Sequence, residues 1–437
     1  MSLRLLVALG SWPVLCPIFL FAAPAAEWSL DQAVGQALTG NRGLAATYFE
    51  IEKAQGRALQ AGLPRNPEVE FGGRSDLLFK NEGERTLTLG ISQALPRRGR
   101  LRLARETVNL SVGQQQALVR DAERLLIGEV QTLYLRALVF ERQRAARQVL
   151  VESTEKLAHI IEQRYAAGEV PQTDISPIRI EGAKLAQEQQ LLLADRAVVE
   201  LKLKQALGLM PDEPLTLTTT LDELASHWKV TTGAVPPAAK RPDFEAAQIG
   251  TTRAEAEVRL AKAEIYEDIT VGVDYENERA VFDGPIGVKN DHYLGFKVSI
   301  PLPVRNKNQG RILEQQAAKR QADVELDAVR QKIAAEIAQA RATATQLEPV
   351  LRRYREELVP MAEKHYEAVQ RAYQQGQQGI APVFQAQQQR FALELDYVSY
   401  ASRQIEAMIA AETASGAHPH VKHHEPTDRH PHPISQP

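Results

Sequence analysis

Apolar and polar residues alternate in four short segments, arranged as two pairs. In the first pair, Val69 and Phe71 alternate with glutamates, and apolar positions alternate with threonine, glycine and serine over residues 86–92. In the second pair, residues 269–275 and 292–300 keep the same period of two. A period of two separates the side chains onto the two faces of a strand, so the pattern predicts four amphipathic strands of about nine or ten residues.

Around these strands, apolar positions recur with helical spacing over long stretches. Residues 29–62 begin with the capping-box pattern of Ser29 and Gln32 and predict one helix of about 34 residues. Residues 97–165 contain no proline and keep the helical pattern unbroken, which predicts a helix on the order of 100 Å long, at 1.5 Å per residue. A second very long helix is predicted over 309–373, and shorter ones over 173–207, 243–267 and up to residue 414.

The order of these elements occurs twice. ISQALPRRGRLR at residues 91–102 is echoed by VSIPLPVRNKNQGRI at residues 298–312. Tyr165 and Gly168 match Tyr373 and Gly376, each at a distance of 208 residues (373 − 165 = 208). Each repeat therefore reads as a helix, two strands, a very long helix, a turn and a last helix.

Prolines mark the predicted junctions between strand and helix, because proline ends a strand ladder and suits the first turn of a helix. These prolines are Pro96, Pro301 and Pro303. The chain divides into a leader (1–26), a first repeat (27–210), a Thr-, Pro- and Ala-rich linker (211–240), a second repeat (241–415) and a tail (416–437).

The leader combines an arginine, an apolar core and a small-residue end, which predicts a cleaved secretory signal peptide. The alternative is a transmembrane anchor, although Pro13 and Pro17 interrupt the apolar run. Cleavage would remove Cys16, the only cysteine, and with it thiol chemistry and disulfides. A lipidated Cys16 is the other alternative, but Leu15 is bulkier than the small residue that lipoprotein signals use.

The remaining composition narrows the function classes. The 437 residues carry a net charge of −3, so no basic footprint points to nucleic acid. We find no nucleophile elbow, phosphate loop or catalytic cysteine, so we do not expect an enzyme or a resident cofactor. Beyond the leader, no run of 18 apolar residues predicts a membrane-spanning helix.

Four strands cannot close a barrel, for which about eight is the practical minimum. Strands that enter lipid must close, because unpaired backbone groups cost several kcal/mol each. Three copies would supply twelve strands; the alternative is a soluble β-patch on a helical rod. The long helices mix sparse apolar residues with Ala and Gln, which fits either the wall of a wet tunnel or an ordinary antiparallel coiled coil.

Several motifs resemble those of the TolC family of outer-membrane efflux proteins, over about residues 29–414. Residues 241–244 (RPDF) resemble the motif that opens the family's second repeat, and residues 164–175 (RYAAGEVPQTDI) resemble its first helix-turn-helix tip. Residues 300–310 (IPLPVRNKNQG) are similar to a signature of the CzcC-like branch, which exports heavy-metal cations.

The resemblance implies an α+β membrane protein with two structural repeats. It implies a homotrimer whose 12-stranded barrel lies in outer-membrane lipid and continues as a periplasmic α-helical barrel. The tunnel tips would dock on a periplasmic adaptor protein of an inner-membrane RND pump. Tyr165, Gly168, Tyr373 and Gly376 would shape these tips, and Asp174 would sit where the family uses an aspartate in closing the entrance. The second tip departs from the pattern, because Pro382 stands where the family often has aspartate.

Six of the ten histidines lie in the polar, Pro-rich tail: His418, His420, His423, His424, His430 and His432. Imidazole binds Zn, Ni, Co and Cu, so we expect the tail to hold a divalent metal while its histidines are neutral. The alternative is a solvated tail without a role.

The sequence therefore favours an outer-membrane channel for efflux of heavy-metal cations. The same conduit serving drugs, solvents or type I protein secretion remains an alternative. From another class, a periplasmic helical scaffold or metal-sequestering protein also fits the pattern.

Overall fold

The computed structural model of the chain describes residues 26–76, 78, 83–228, 241–282 and 287–416. The leader, apart from Ala26, and the tail, apart from Gly416, lie outside these residues. The strands are β1 (Ala26–Trp28), β2 (Glu68–Ser75), β3 (Arg85–Leu95), β4 (Leu215–Leu217), β5 (Ile269–Phe282) and β6 (Gly287–Ser299). The helices are α1 (Leu30–Gly40), α2 (Arg42–Ala61), α3 (Arg100–Ala166), α4 (Ile175–Leu207), α5 (Leu221–His227), α6 (Pro242–Ala263), α7 (Gln309–Arg353), α8 (Val359–Gln374) and α9 (Ile380–Ser415).

The four predicted amphipathic strands form one antiparallel sheet in the order β2-β3-β5-β6. Leu89 pairs with Phe71 on one side and with Tyr275 on the other, and Tyr275 pairs with Leu294. The apolar positions of all four strands therefore share one face. That face is open, since Phe71 is 77% exposed and Phe296 is 78% exposed.

The second strand pair is longer than the sequence predicted. β5 has 14 residues and β6 has 13, and residues 276–282 pair with residues 287–293. The alternating pattern ended the first of these strands at residue 275 and began the second at residue 292, so it predicted a loop over residues 276–290. That prediction is wrong in most of its length, because backbone pairing extends both strands into polar segments whose side chains do not alternate.

The helices form a second layer with the same order as the sheet. α3 is one uninterrupted helix of 67 residues, as predicted. It packs against α2 and α4 and also against α6 and α9. α7 packs against α6 and α9, and α8 packs against α9. No comparable contact joins α7 or α8 to α2 or α4 in the described part of the chain.

The first helix is two helices, so the prediction of one helix of about 34 residues is wrong. Asn41 leaves the helical conformation and caps α2, since its side-chain oxygen accepts a hydrogen bond from the Leu44 N–H at 2.8 Å. Its amide donates to the Ala206 carbonyl at 2.9 Å, near the last residue of α4. α2 therefore begins where α4 ends, and together the two helices run alongside α3.

The second repeat makes the same junction with a charged side chain. Arg241, only 2% exposed, donates to the Ala414 carbonyl at 3.0 Å, so α6 begins where α9 ends. Its guanidinium also forms ion pairs with Asp243 and Glu336, both at 2.6 Å. Arg124 donates to the adjacent Thr413 carbonyl at 2.6 Å. Two cations thus bind the last carbonyl groups of α9, where the helix dipole is negative.

The main core lies midway along α3, where the chain connecting the two repeats wraps around it. Tyr134 is fully buried; its hydroxyl donates to the Trp28 carbonyl at 2.8 Å and accepts from the Thr219 N–H at 3.2 Å. The expected linker is partly structured, because β4 pairs in parallel with β1 and the capping box of Thr220 starts α5. Residues 229–240 lie outside the described part.

The second very long helix has an irregular turn that the first lacks. A π-helical segment, Tyr354–Leu358, joins α7 to α8, between Pro349 and Pro360. Proline removes a backbone donor, and the wider turn absorbs the lost hydrogen bonds. None of the helices in the described ranges combines the length and apolarity needed to cross a membrane.

We expect Arg241→Met to destabilise the folded protein by about 3 kcal/mol, because it leaves Asp243 and Glu336 without their cation. Denaturant titration followed by circular dichroism measures the loss. Arg320→Met, at an exposed position of α7, is the matched control and should change stability by less than about 0.5 kcal/mol. Equal stability of the two variants would contradict the assigned role of Arg241.

The same ion pair predicts a pH dependence. Burial opposes ionisation of Asp243, but the hydrogen bonds and charge of Arg241 outweigh it and hold the pKa of this carboxyl below its ordinary value of 3.8. Its stabilising contribution is present above that value and is lost as the pH falls through the lowered pKa. The stability difference between the wild type and Asp243→Asn should therefore be largest at neutral pH and should shrink below about pH 4.

Candidate functional site

The turn between α3 and α4 forms the first of two helical tips, at the end of the helical layer away from the sheet. Gly168 has a φ of +74°. Its N–H donates to the Tyr165 carbonyl at 2.9 Å, and the Glu169 N–H donates to the Arg164 carbonyl at 2.9 Å. Glycine suits this position because the left-handed conformation costs a residue with a Cβ about 1–2 kcal/mol.

The second tip, between α8 and α9, repeats this geometry. Gly376 has a φ of +71°. Its N–H donates to the Tyr373 carbonyl at 3.0 Å, and the Gln377 N–H donates to the Ala372 carbonyl at 2.9 Å. The structure thus places all four paired positions of the two tips where the 208-residue repeat predicted equivalent turns.

The two tips pack against each other through an apolar cluster of residues from both helix pairs. Its buried members are Ile161, Ile175, Ile178, Ile380 and Val383. Aromatic rings from α8, including Tyr373, cover it. The tips therefore form one paired unit within the chain.

Arg164 joins the tips by polar contacts. Its guanidinium donates to the Tyr373 hydroxyl at 2.9 Å and to the Glu169 carboxylate at 2.9 Å. These two hydrogen bonds raise the pKa of Arg164 above its ordinary value. Sequence reasoning missed this residue, because Ala372 stands at the corresponding position of the second repeat and no pairing signal marks it.

The other predicted tip residues occupy distinct places. Tyr165 is 44% exposed beside a cavity of about 270 Å³ that is also lined by Glu162, Gln172 and Arg179. Asp174 ends a single 3₁₀ turn, Gln172–Asp174, that leads into α4. The structure brings Tyr373 to Arg164, whereas a Cβ added at Gly168 or at Gly376 would meet nothing within 4 Å.

The predicted junction prolines lie where strand becomes helix. Pro96 follows the last residue of β3, and Pro301 and Pro303 follow β6. The N-caps of α3 and α7, Gly99 and Asn308, are both left-handed, with φ of +66° and +57°. The two left-handed caps are therefore 209 residues apart (308 − 99 = 209). In the second repeat the cap is Asn308, although a glycine, Gly310, stands two residues later.

The polar face of the sheet carries more carboxylates than cations. Glu70, Gly90, Asp274 and Gly295 form one row across the four strands. The carboxylates on this face are Glu68, Glu70, Asp274, Glu276, Glu278 and Asp291, and the cations are Arg74, Lys289 and Lys297. Lys289 pairs with Asp291 at 2.9 Å. Sequence alternation predicted a polar face, but only the strand register aligns its charges in rows.

The predicted metal ligands of the tail, His418 to His432, lie outside the described residues. Within the described ranges, no three His, Cys, Asp or Glu side chains are grouped as a metal site would require.

We expect Gly168→Ala to destabilise the first tip by about 1–2 kcal/mol, because the new Cβ meets no neighbour and the cost comes from the positive φ alone. Hydrogen exchange over residues 157–183 measures the local opening. Gly182→Ala is the matched control, since its Cβ also meets open space but lies within α4. The control should slow exchange slightly; faster exchange in both variants would contradict the argument.

Comparisons with known proteins agree with this architecture. The family described as "Outer membrane efflux protein" matches residues 33–209 and 238–417. The chain is 26% identical to the pyoverdine export outer membrane protein OpmQ of Pseudomonas putida KT2440, over 91% of this chain and 86% of that protein. It is 21% identical to the cobalt-zinc-cadmium resistance protein CzcC of Cupriavidus metallidurans CH34, over 92% of both chains.

Among solved structures, crystal structures of CusC superpose with a TM-score of 0.74 at 18% identity, covering 89% of this chain and 92% of that one. That likeness confirms the α+β fold of two repeats with paired strands and long helices. The channel family is not enzymatic, and its members act in tripartite efflux systems. The chain therefore belongs to the outer membrane efflux protein family and is the outer-membrane channel of an efflux system, with a helical tunnel in the periplasm.

Proposed function

We propose that three copies of this chain close into a ring that forms the complete conduit. The sheet ends in β2 on one side and β6 on the other, each paired along one edge only. The helical layer ends in the same order, with α2 and α4 at one side and α7 and α8 at the other. The free edges of the sheet and of the helical layer therefore lie on the same two sides of the chain. This observation is the main support for the proposal, because one head-to-tail contact between copies would join both layers.

Exposed apolar side chains on the outer helices support closure of the ring. On α4, Ile180 is 69% exposed and Leu191 is 64% exposed. On α7, Val324 is 69% exposed, and on α8 Met361 is 60% exposed. A neighbouring copy would cover these residues. Three copies of the four-stranded sheet would also give twelve strands, enough to close a barrel in lipid.

In the complete assembly, the paired tips dock on a periplasmic adaptor protein of an inner-membrane RND pump. The tips lie at the end of the helical layer remote from the sheet, so they would reach furthest from the outer membrane. Tyr165 presents an aromatic ring there, and Gly168 and Gly376 present backbone. The 3₁₀ turn that ends at Asp174 leads into α4. Energy for transport comes from the pump.

For the cargo, we favour heavy-metal cations. The polar face of the sheet would line the lumen, where rows of carboxylates such as Glu70 and Asp274 favour cations. The junction sequence at residues 300–310 and the relative CzcC, named for cobalt-zinc-cadmium resistance, support the same cargo. A second candidate is an organic cargo, supported by the relative OpmQ, which is named for pyoverdine export.

The histidines of the tail would add a weak site for Zn, Ni, Co or Cu near the foot of α9. α9 ends at Ser415 and Gly416 caps it in a left-handed conformation, so the tail begins next to the Arg241 junction. Removal of residues 417–437 should leave the fold intact and abolish zinc binding at pH 7, measured by calorimetry on the full chain and the shortened one. Equal zinc binding by both proteins would contradict a role for the tail.

We expect the double variant Ile180→Asp, Leu191→Asp to be monomeric in detergent, because two carboxylates would be buried against the next copy. Size-exclusion chromatography with light scattering measures the oligomeric state. Leu78→Asp is the matched control, since Leu78 is 88% exposed but lies outside the helical layer, and it should remain a trimer. A stable trimer of the double variant would contradict closure through α4.

The cargo is tested by growth of a deletion strain on zinc, cadmium, cobalt, nickel, copper and silver salts, beside antibiotics. We expect selective sensitivity to divalent metals, restored by the wild-type gene. Glu70→Gln with Asp274→Asn should restore growth on metals only partly, since fewer carboxylates attract cations in the lumen. Glu52→Gln, at an exposed position of α2, should restore it fully. Sensitivity confined to organic compounds would favour the second candidate.

A further inference from the structure

Several basic residues lie in the segments where the strands connect to the helices. Some precede β2 or follow β3, one lies in the first turn of α3, and others lie between β6 and α7. We call this set the basic collar: Arg65, Arg97, Arg98, Arg102, Arg305 and Lys307. The collar belongs to both repeats, so three copies of the chain would complete it around the conduit.

The collar cations have no carboxylate partner among the residues that the structure describes. The nearby carboxylates of Asp268 and Glu264 are already engaged, by Arg100 at 2.7 Å and Arg311 at 3.1 Å. Arg97 is half-buried and the other collar members are exposed. The collar is therefore a surface of positive charge that forms no ion pair with the described part of the chain.

The collar borders the apolar face of the sheet. Arg97 follows Leu95 with the spacing of two that keeps β3 residues on one face. Beyond β6, the apolar positions continue at the same spacing: Ile300 is 50% exposed, Leu302 is 76% exposed and Val304 is 74% exposed. Arg305 comes directly after them. Apolar surface followed at once by cations is the pattern of a protein crossing from lipid tails to headgroups.

Backbone conformation and a ring contact position two of the collar residues, Arg97 and Arg98. Arg98 has a φ of +54°, which is uncommon for a residue other than glycine. The Tyr266 ring lies 3.9 Å from the Arg98 guanidinium carbon and 5.6 Å from that of Arg97. Two like charges therefore lie near one ring, and an anion that pairs with them would reduce their repulsion.

We propose that the basic collar binds the phosphate groups of anionic phospholipids in the periplasmic leaflet of the outer membrane. Guanidinium N–H groups match phosphate oxygens in pairs, which gives geometric as well as electrostatic recognition. Bound lipids would seal the conduit at the level where its wall changes from strands to helices. The proposal rests on the trimeric conduit proposed above, because only that assembly places the sheet in lipid.

The test uses the purified full-length trimer in neutral detergent, titrated with phosphatidylglycerol or phosphatidylcholine and observed by native mass spectrometry. We expect the wild type to bind phosphatidylglycerol at least about tenfold more tightly, since each arginine near an anionic headgroup contributes roughly five-fold. Arg65→Gln with Arg97→Gln and Arg305→Gln should remove the preference. Arg57→Gln with Arg320→Gln and Arg352→Gln, at helical positions outside the collar, removes equal charge and should keep it.

Three results would overturn the proposal. The first is equal binding of the two lipids by the wild type, and the second is a wild-type preference kept by the collar variant. The third is competition by inorganic phosphate at concentrations equal to those of the lipid. A salt titration provides a measurement independent of the variants, because sodium chloride at about 0.5 M should weaken the wild-type preference by screening. Size-exclusion chromatography of each protein separates the two proposals: loss of the trimer in the wild type would refute the conduit, whereas an intact trimer without lipid preference would refute only the collar.

Discussion

The hydrogen-bonding requirement of the sheet edges constrains the rest of the structure. In lipid, each backbone N–H or C=O without a partner costs several kcal/mol, so an amphipathic four-stranded sheet with two free edges needs neighbours. β2 and β6 form the two opposite edges of the sheet. The helical layer follows the same order, from α2 and α4 to α7 and α8. In the proposed ring, one lateral contact between copies would therefore satisfy both layers.

The two repeats reach the same architecture through different chemistry. The junction of α2 with α4 depends on a neutral amide, Asn41, whereas the junction of α6 with α9 depends on the buried Arg241 and its carboxylates. The very long helices also differ, since α3 is continuous and the second repeat contains the π-helical segment Tyr354–Leu358. The π-helical segment therefore interrupts the regular hydrogen bonding of the second long helix at a place where α3 stays regular.

Charge is distributed differently on the two faces of the sheet and at its foot. Carboxylates such as Glu70 and Asp274 lie on the polar face, and the apolar face ends at the basic collar. Opposite charges therefore lie on separate surfaces. Under the two proposals, the carboxylates would attract cations in the lumen and the collar would bind phosphate groups at the membrane. The tips carry a third arrangement, in which Arg164 joins the two helix pairs through Tyr373.

The amino-acid sequence determined the features that depend on near neighbours in the chain. Alternation fixed the two faces of the strands, the absence of breakers fixed the length of α3, and Gly168 and Gly376 fixed the tip turns. Only the tertiary structure decided the break at Asn41, the extra length of β5 and β6, the β1–β4 pair and the partners of Arg241. Those features depend on atoms remote in sequence, such as the Ala206 carbonyl 165 residues from Asn41 and the Ala414 carbonyl 173 residues from Arg241. Local periodicity shows which residues are buried or exposed, but it does not identify the distant groups with which they form hydrogen bonds.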